Sequence, residues 1–167
     1  MKTVYLILGG NLGDREEFIM HAIEMLNRKA GTVDMASSYY ETEPWGMTGV
    51  QAFLNIALRL TTKLEPDALL DVLLEIEEQA GRIRNPLKDQ YESRPIDIDI
   101  LFYDSDVIQS PRLTIPHPHM QSRKFVLEPL CEIAPDFMHP VMQKTVTILL
   151  KECTDKLETA VFKPYIL

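Results

Sequence analysis

Apolar positions along the chain fall into alternating, continuous and helical patterns. Residues 3–9, TVYLILG, form an unbroken run rich in β-branched and aromatic side chains, the composition of a buried strand. GNLGD breaks the run. Asp14, followed three residues later by Glu17, has the spacing of a capping box and predicts a helix start. Phe18, Ala22 and Leu26 then mark an inner helical face, and Gly31 ends the helix. Residues 32–44, TVDMASSYYETEP, predict a second strand, and residues 52–62, AFLNIALRLTT, a third, with the loop WGMTGVQ between them. In the third strand Leu54, Ile56, Leu58 and Leu60 alternate with Phe53, Asn55, Ala57 and Arg59. Pro66 suits a first helical position, Leu69, Leu70, Leu73 and Ile76 supply a helical stripe, and Gly81 closes it. After the polar stretch RIRNPLKDQYESRP comes IDIDILFY, a fourth strand.

The order β-α-β-β-α-β predicts an α/β (α+β) fold with a ferredoxin-like, split βαβ core and a C-terminal extension. The extension starts with the proline-punctuated SPRLTIPHPHMQSRKFVLEPLCEIAP, in which one short helix is expected. QKTVTILLKE predicts a further helix and LETAVFKPY an edge strand. Without repeats or a linker, residues 1–167 are expected to form a single domain.

Charge narrows the function. A net charge of −8 argues against a nucleic-acid protein working through overall basicity, while leaving room for a local basic site. The apolar run after Met1 is too short for a membrane span and leads into a polar turn, so a cytoplasmic location is expected. Cys131 and Cys153 show neither metal nor redox spacing and read as reduced thiols.

The unusual feature is the pair Asp97 and Asp99. Residues two apart on a strand share a face, with Cα atoms about 7 Å apart. Two like charges at that range repel by roughly 2 kcal/mol at an effective dielectric near 20, so a cationic partner is expected. Oxygen ligands suit Mg²⁺, which keeps waters and takes phosphate oxygens, and carboxylates on alternate residues can bracket two such ions. A solvated acidic strand face is the alternative. Arg82, Arg84, Arg94, Arg112, Arg123 and Lys124 flank the pair in sequence, and guanidinium forks grip phosphate bidentately. Surface ion pairing is the other reading of these arginines. The glycines of LGGNLGD have neither dinucleotide-fold nor P-loop spacing and suit a tight turn or close approach to a ligand. Phe53 and Asn55 share a strand face, where a ring beside an amide could hold a flat heterocycle, and Trp45 sits in the adjacent loop. His117 and His119 lack a nearby soft ligand for Zn²⁺, and a neutral imidazole donating to phosphate or ribose suits them better.

Taken together, LGGNLGD, YETEPWG, FLN, EEQAGRIR, RPIDIDIL and IPHPHMQSRKFVLEPLCEIAP, in this order, resemble the 6-hydroxymethyl-7,8-dihydropterin pyrophosphokinase family of folate biosynthesis. The resemblance implies transfer of diphosphate from ATP to the hydroxymethyl group of the pterin, with AMP released and two Mg²⁺ ions used. It implies that Asp97 and Asp99 ligate both metals and that Arg82 and Arg94 close over the triphosphate from mobile loops. Glu77, Arg84, Ile100, Arg112, Thr114 and His117 would line the ATP site, with Arg123 on phosphate or the pterin side. Gly9, Thr42, Pro44, Trp45, Phe53, Asn55 and Phe125 would form the pterin pocket, the two phenylalanines sandwiching the ring. The implied partners are these small molecules alone, with neither nucleic acid nor membrane, and the chain is expected to act as a monomer.

Four positions depart from the family pattern. Gly10 stands where Ser is common, Tyr91 where many members have Trp, Pro118 where Tyr is frequent beside His117, and Phe53 lacks a hydroxyl that some members carry. Two rival readings remain at this level: a ferredoxin-like nucleic-acid-binding module, and another metal-dependent nucleotidyl or glycosyl transferase using Asp-x-Asp.

Overall fold

The computed structural model describes residues 1–43, 50–82 and 93–166. Strand β1 (Lys2–Gly10) lies between β4 (Phe53–Thr62) and β5 (Asp97–Tyr103), antiparallel to both. Strands β2 (Gly31–Ala36) and β3 (Tyr39–Thr42) both pair with β4, and β8 (Thr159–Lys163) pairs with the outer edge of β3. The sheet order is therefore β5-β1-β4-β3-β8, with β2 also on β4. Helices α1 (Arg15–Lys29) and α2 (Pro66–Gln79) complete the βαββαβ core that the apolar pattern predicts.

The predicted second strand is two strands. Ser37 interrupts it: its hydroxyl accepts the Ala57 N–H at 2.9 Å and donates to the Ser38 carbonyl at 2.8 Å. The Ser37 N–H still donates to the Ala57 carbonyl at 2.9 Å, but the hydroxyl takes the Ala57 N–H that a main-chain carbonyl would otherwise accept, and β2 and β3 take separate stretches of β4.

Asp14 caps α1, its carboxylate accepting the Glu17 N–H at 3.0 Å. The buried stripe is Ile19, Ala22, Ile23 and Leu26. Phe18, expected on that face, is only half-buried, and its ring lies against Gly13. In α2, Leu69, Leu73 and Ile76 are buried as expected, Leu70 is half-buried, and Glu77 joins the buried set with 1% of its surface exposed.

Both sheet faces are covered, unequally. Val4, Leu6, Leu8, Leu54, Ile56, Leu58 and Ile98 pack against α1 and α2. On the other face Tyr5, Ile7, Ala57, Leu101 and Phe102 pack against α3 (Lys124–Ile133) and α4 (Val146–Glu152). A bulge makes this possible. Tyr5 faces Phe102 while Leu6 faces Ile100, so Leu101 is an extra residue and two consecutive apolar side chains reach the second core. The extension also holds a short hairpin, β6 (Ile108–Gln109) with β7 (Thr114–Ile115), that the apolar pattern does not reveal. Among the described residues no helix is long and apolar enough to cross a membrane.

Candidate active site

A row of partners crosses the sheet on the α3 and α4 side. Gly9 faces Asp97 on one side and Asn55 on the other, and Asn55 in turn faces Tyr40. Ile7 faces Asp99 in the same way. Here the sheet bounds a cavity of about 430 Å³. Gly9, Asn55, Asp97 and Asp99 line it, with Phe53 and Phe125 contributing rings and Thr42 a hydroxyl. Glycine at position 9 follows from geometry, because a Cβ there would stand 2.4 Å from Asn55 Oδ1. Asn55 is 3% exposed and donates one amide hydrogen to Thr42 Oγ1 at 3.3 Å. The other hydrogen and the carbonyl suit the polar edge of a flat ligand. Gly10 is equally constrained, since a Cβ there would lie 2.1 Å from the Pro95 carbonyl oxygen.

The acid pair has the cationic partners its repulsion requires. Asp97 is ion-paired with Arg82 and, at 3.1 Å, with Arg94. Arg82 also holds Glu77 at 2.9 Å, while the other Glu77 oxygen accepts the Ile98 N–H at 2.7 Å. This buried glutamate therefore anchors both the outer edge of β5 and the guanidinium that reaches Asp97. Asp99 lies deeper. Burial, reinforced by the negative charges of Asp97 and Glu77, pushes its carboxyl up to about 7, against the pull of Arg123 and Arg82. A crowded carboxylate set of this kind is one that divalent cations relieve. Among the described residues no three His, Cys, Asp or Glu side chains form a closed metal cage. Two carboxylates in an open site fit Mg²⁺, whose remaining ligands come from water and phosphate.

Two arginines sit over the two cavity phenylalanines. The Arg94 guanidinium carbon is 5.8 Å from the centre of the Phe53 ring, and that of Arg123 is 5.9 Å from the centre of Phe125. Arg94 is held through its backbone by Asn11, which is fully buried. The Asn11 amide also donates to the Gln51 carbonyl at 3.3 Å and to Ser93 Oγ at 3.1 Å.

Other expected residues lie apart from this cavity. Arg112 is exposed and pairs with Asp67 and Asp71 of α2. Thr114 is exposed on β7. His117 is half-buried, and its Nδ1 accepts the His119 N–H at 3.2 Å. Burial, with the nearby Arg123 and His119, lowers its pKa to about 4, so the ring is neutral near pH 7. The Ile100 side chain is packed in the core beneath α1 and α2, which leaves its backbone at the sheet edge as the part open to a ligand. Pro44, Trp45, Arg84 and Tyr91, and most of the loop expected to close over the triphosphate, lie outside the described residues. The cavity also takes His119, which the sequence pairs with His117 as a candidate phosphate or ribose contact, and Glu43, Ser122, Asp155 and Leu157, to which the sequence assigns no role. Glu43 lies within YETEPWG and Ser122 within IPHPHMQSRKF. Asp155 and Leu157 come from the tail, where no local pattern marks them.

The model of the family 7,8-dihydro-6-hydroxymethylpterin-pyrophosphokinase matches residues 5–135. The chain is 43% identical over 141 residues to the 2-amino-4-hydroxy-6-hydroxymethyldihydropteridine pyrophosphokinase of Porphyromonas gingivalis, covering 84% of this chain and 95% of that one. It is 39% identical over 158 residues to the enzyme of the same name from Aquifex aeolicus, covering 93% and 95%. Among solved structures, wild-type HPPK-DHPS of Plasmodium falciparum with pteroate superposes with a TM-score of 0.71 at 18% identity, over 90% of this chain. The match spans 42% of that longer chain, and at this identity the likeness bears on the fold alone.

Proposed function

The chain belongs to the 7,8-dihydro-6-hydroxymethylpterin-pyrophosphokinase family, and on that premise we propose how its own residues carry out the reaction. It is an ATP-dependent diphosphokinase of folate biosynthesis that transfers diphosphate from ATP to 6-hydroxymethyl-7,8-dihydropterin. The products are AMP and the dihydropterin diphosphate.

In this reading the pterin occupies the cavity between Phe53 and Phe125. Asn55, fixed by Thr42, reads the polar edge of the heterocycle, and Gly9 leaves room for it. The hydroxymethyl group points along the row from Asn55 through Gly9 toward Asp97. Asp97 and Asp99 would hold two Mg²⁺ ions, which when bound neutralise phosphate charge and favour the ionised hydroxyl. Among the described residues no side chain stands out as a general base, in keeping with a reaction driven by positioning and electrostatics.

Arg82 and Arg94 then have two sets of partners. Without nucleotide they neutralise Asp97 and Glu77. With nucleotide they pass to the phosphate oxygens and release the Asp97 carboxylate. Arg123, over Phe125, is positioned to meet phosphate from the α3 side. The ATP base and ribose would lie along the outer edge of β5, near the Ile100 backbone, Thr114 and His117, with Arg112 and Arg84 contributing charge. The enzyme acts as a monomer in this reading, and its partners are its substrates.

The observation that carries this reading is the single row that joins an acid pair at one end to a ring-and-amide pocket at the other. The test is AMP release from ATP by the purified chain, with and without the pterin. AMP formed only when the pterin is present supports the reading. AMP formed without it, with diphosphate left free or moved to another acceptor, would point to a different Asp-x-Asp transferase.

A further inference from the structure

We propose that Leu157 is a specificity-determining wall of the pterin pocket, set in place by Asp155; this deepens the reading above and rests on it. Both residues lie beyond the 5–135 stretch that carries the family match, yet both line the substrate cavity. Two contacts tie this segment to the cavity and a third fixes its turn. Oδ2 of Asp155 accepts the Lys124 N–H at 3.0 Å. This is the first amide of α3, one that no helical carbonyl can satisfy, and it lies between the cavity residues Arg123 and Phe125. Oδ1 of Asp155 accepts the Leu157 N–H at 3.1 Å, a turn that fixes the direction of the following residues. Strand β8 then pairs with β3 so that Thr159 faces Thr42, the partner of Asn55.

The sheet order sets which part of the substrate meets this wall. The acids stand on β5, and Asn55 and Thr42 on β4 and β3, with the tail arriving from β8 beyond them. Leu157 therefore borders the heterocycle on the side remote from the reacting hydroxymethyl group. An apolar side chain there selects a flat, unsubstituted edge and closes the pocket against water. Asp155 is a positioning residue, since its oxygens hold the α3 terminus and the Leu157 turn.

The test uses the full chain, with steady-state kinetics for both substrates, equilibrium binding of the pterin and the unfolding midpoint. Leu157→Ala should raise the pterin KM and Kd about tenfold, the scale of lost apolar contact in a pocket, with kcat and the ATP KM unchanged within about twofold. Leu157→Trp, which fills the space, should weaken pterin binding with the same selectivity. Asp155→Ala should repeat the pterin defect, and Asp155→Asn, which keeps one acceptor, should restore part of it. Glu158→Ala, an exposed neighbour, should change nothing. Wild-type pterin affinity in both Leu157 variants, or equal losses for pterin and ATP, would overturn the proposal while leaving the diphosphokinase reading in place. A wild-type chain that neither binds the pterin nor releases AMP would instead bring down that reading, and this inference with it.

Discussion

Asn11 and Arg94 exchange two hydrogen bonds: the Arg94 N–H donates to Asn11 Oδ1 at 2.9 Å, and the Asn11 N–H donates to the Arg94 carbonyl at 3.0 Å. One buried side chain at the end of β1 thereby sets where the chain arrives before the acid strand, and with it where the Arg94 guanidinium lies. Asn11→Ala strands the Arg94 amide and the Ser93 hydroxyl. Leaving such groups unsatisfied costs about 1–3 kcal/mol, to be read from chemical unfolding. The same variant should lose turnover beyond that expected from its folded fraction, because Arg94 is displaced. Full turnover per folded molecule would show that Asn11 serves stability alone.

Asp97 accepts two arginines in this structure and is assigned to divalent cations in the reaction. Asp97→Asn keeps the shape and removes the charge. Turnover should fall about a hundredfold or more, the scale of losing one preorganised electrostatic group. Chelation of divalent ions should abolish wild-type turnover, with recovery on adding Mg²⁺. An Asp97→Ala variant with near-normal turnover would remove this carboxylate from the mechanism.

Gly9→Ala places a methyl group 2.4 Å from Asn55 Oδ1, so the amide must turn away. Pterin affinity should drop while nucleotide affinity holds, measured by titrating each ligand separately. Gly10→Ser meets main chain, since its Cβ would lie 2.1 Å from the Pro95 carbonyl. It should destabilise the fold by about 1–3 kcal/mol, because a backbone neighbour cannot swing aside. The clash arises at the Cβ itself, before any hydroxyl is placed.

His117 gives stability an acid limit. Burial lowers its folded-state pKa to about 4 from the ordinary 6.5. As pH falls below about 6.5 the unfolded chain takes up a proton that the folded chain refuses, so stability declines through the window down to about 4. His139, also lowered by burial, adds in the same direction. His117→Asn, whose side-chain oxygen can still accept the His119 N–H, should lose less stability than wild type between pH 7 and pH 5 in thermal unfolding. Parallel losses in the two proteins would contradict this.

How far the site could be read from sequence depends on distance along the chain. Asp97 and Asp99 share a face because strand period alone decides it, and Phe53 and Asn55 do so for the same reason. The break at Ser37 is not legible in sequence, because it depends on Ala57 across the sheet. The α1 stripe is ambiguous in sequence at Phe18, because the apolar neighbour Ile19 fits the same period and only packing chooses between them. Basic residues gathered near the acid strand are visible in sequence, but their partners are not. Arg82 and Arg94 reach Asp97, whereas Arg112 turns to Asp67 and Asp71. The tail pattern predicts an edge strand and β8 is one, but its pairing with β3, which brings the preceding Asp155 and Leu157 to the cavity, depends on residues far along the chain.

The most direct test is a crystal structure of the chain with a non-hydrolysable ATP analogue, Mg²⁺ and the pterin. The account predicts metal density about 2.0–2.1 Å from carboxylate oxygens of both Asp97 and Asp99, with the Arg82 and Arg94 guanidiniums moved from Asp97 onto phosphate oxygens. Nucleotide bound while both arginines stay on Asp97, with no metal between the acids and the phosphates, would contradict it.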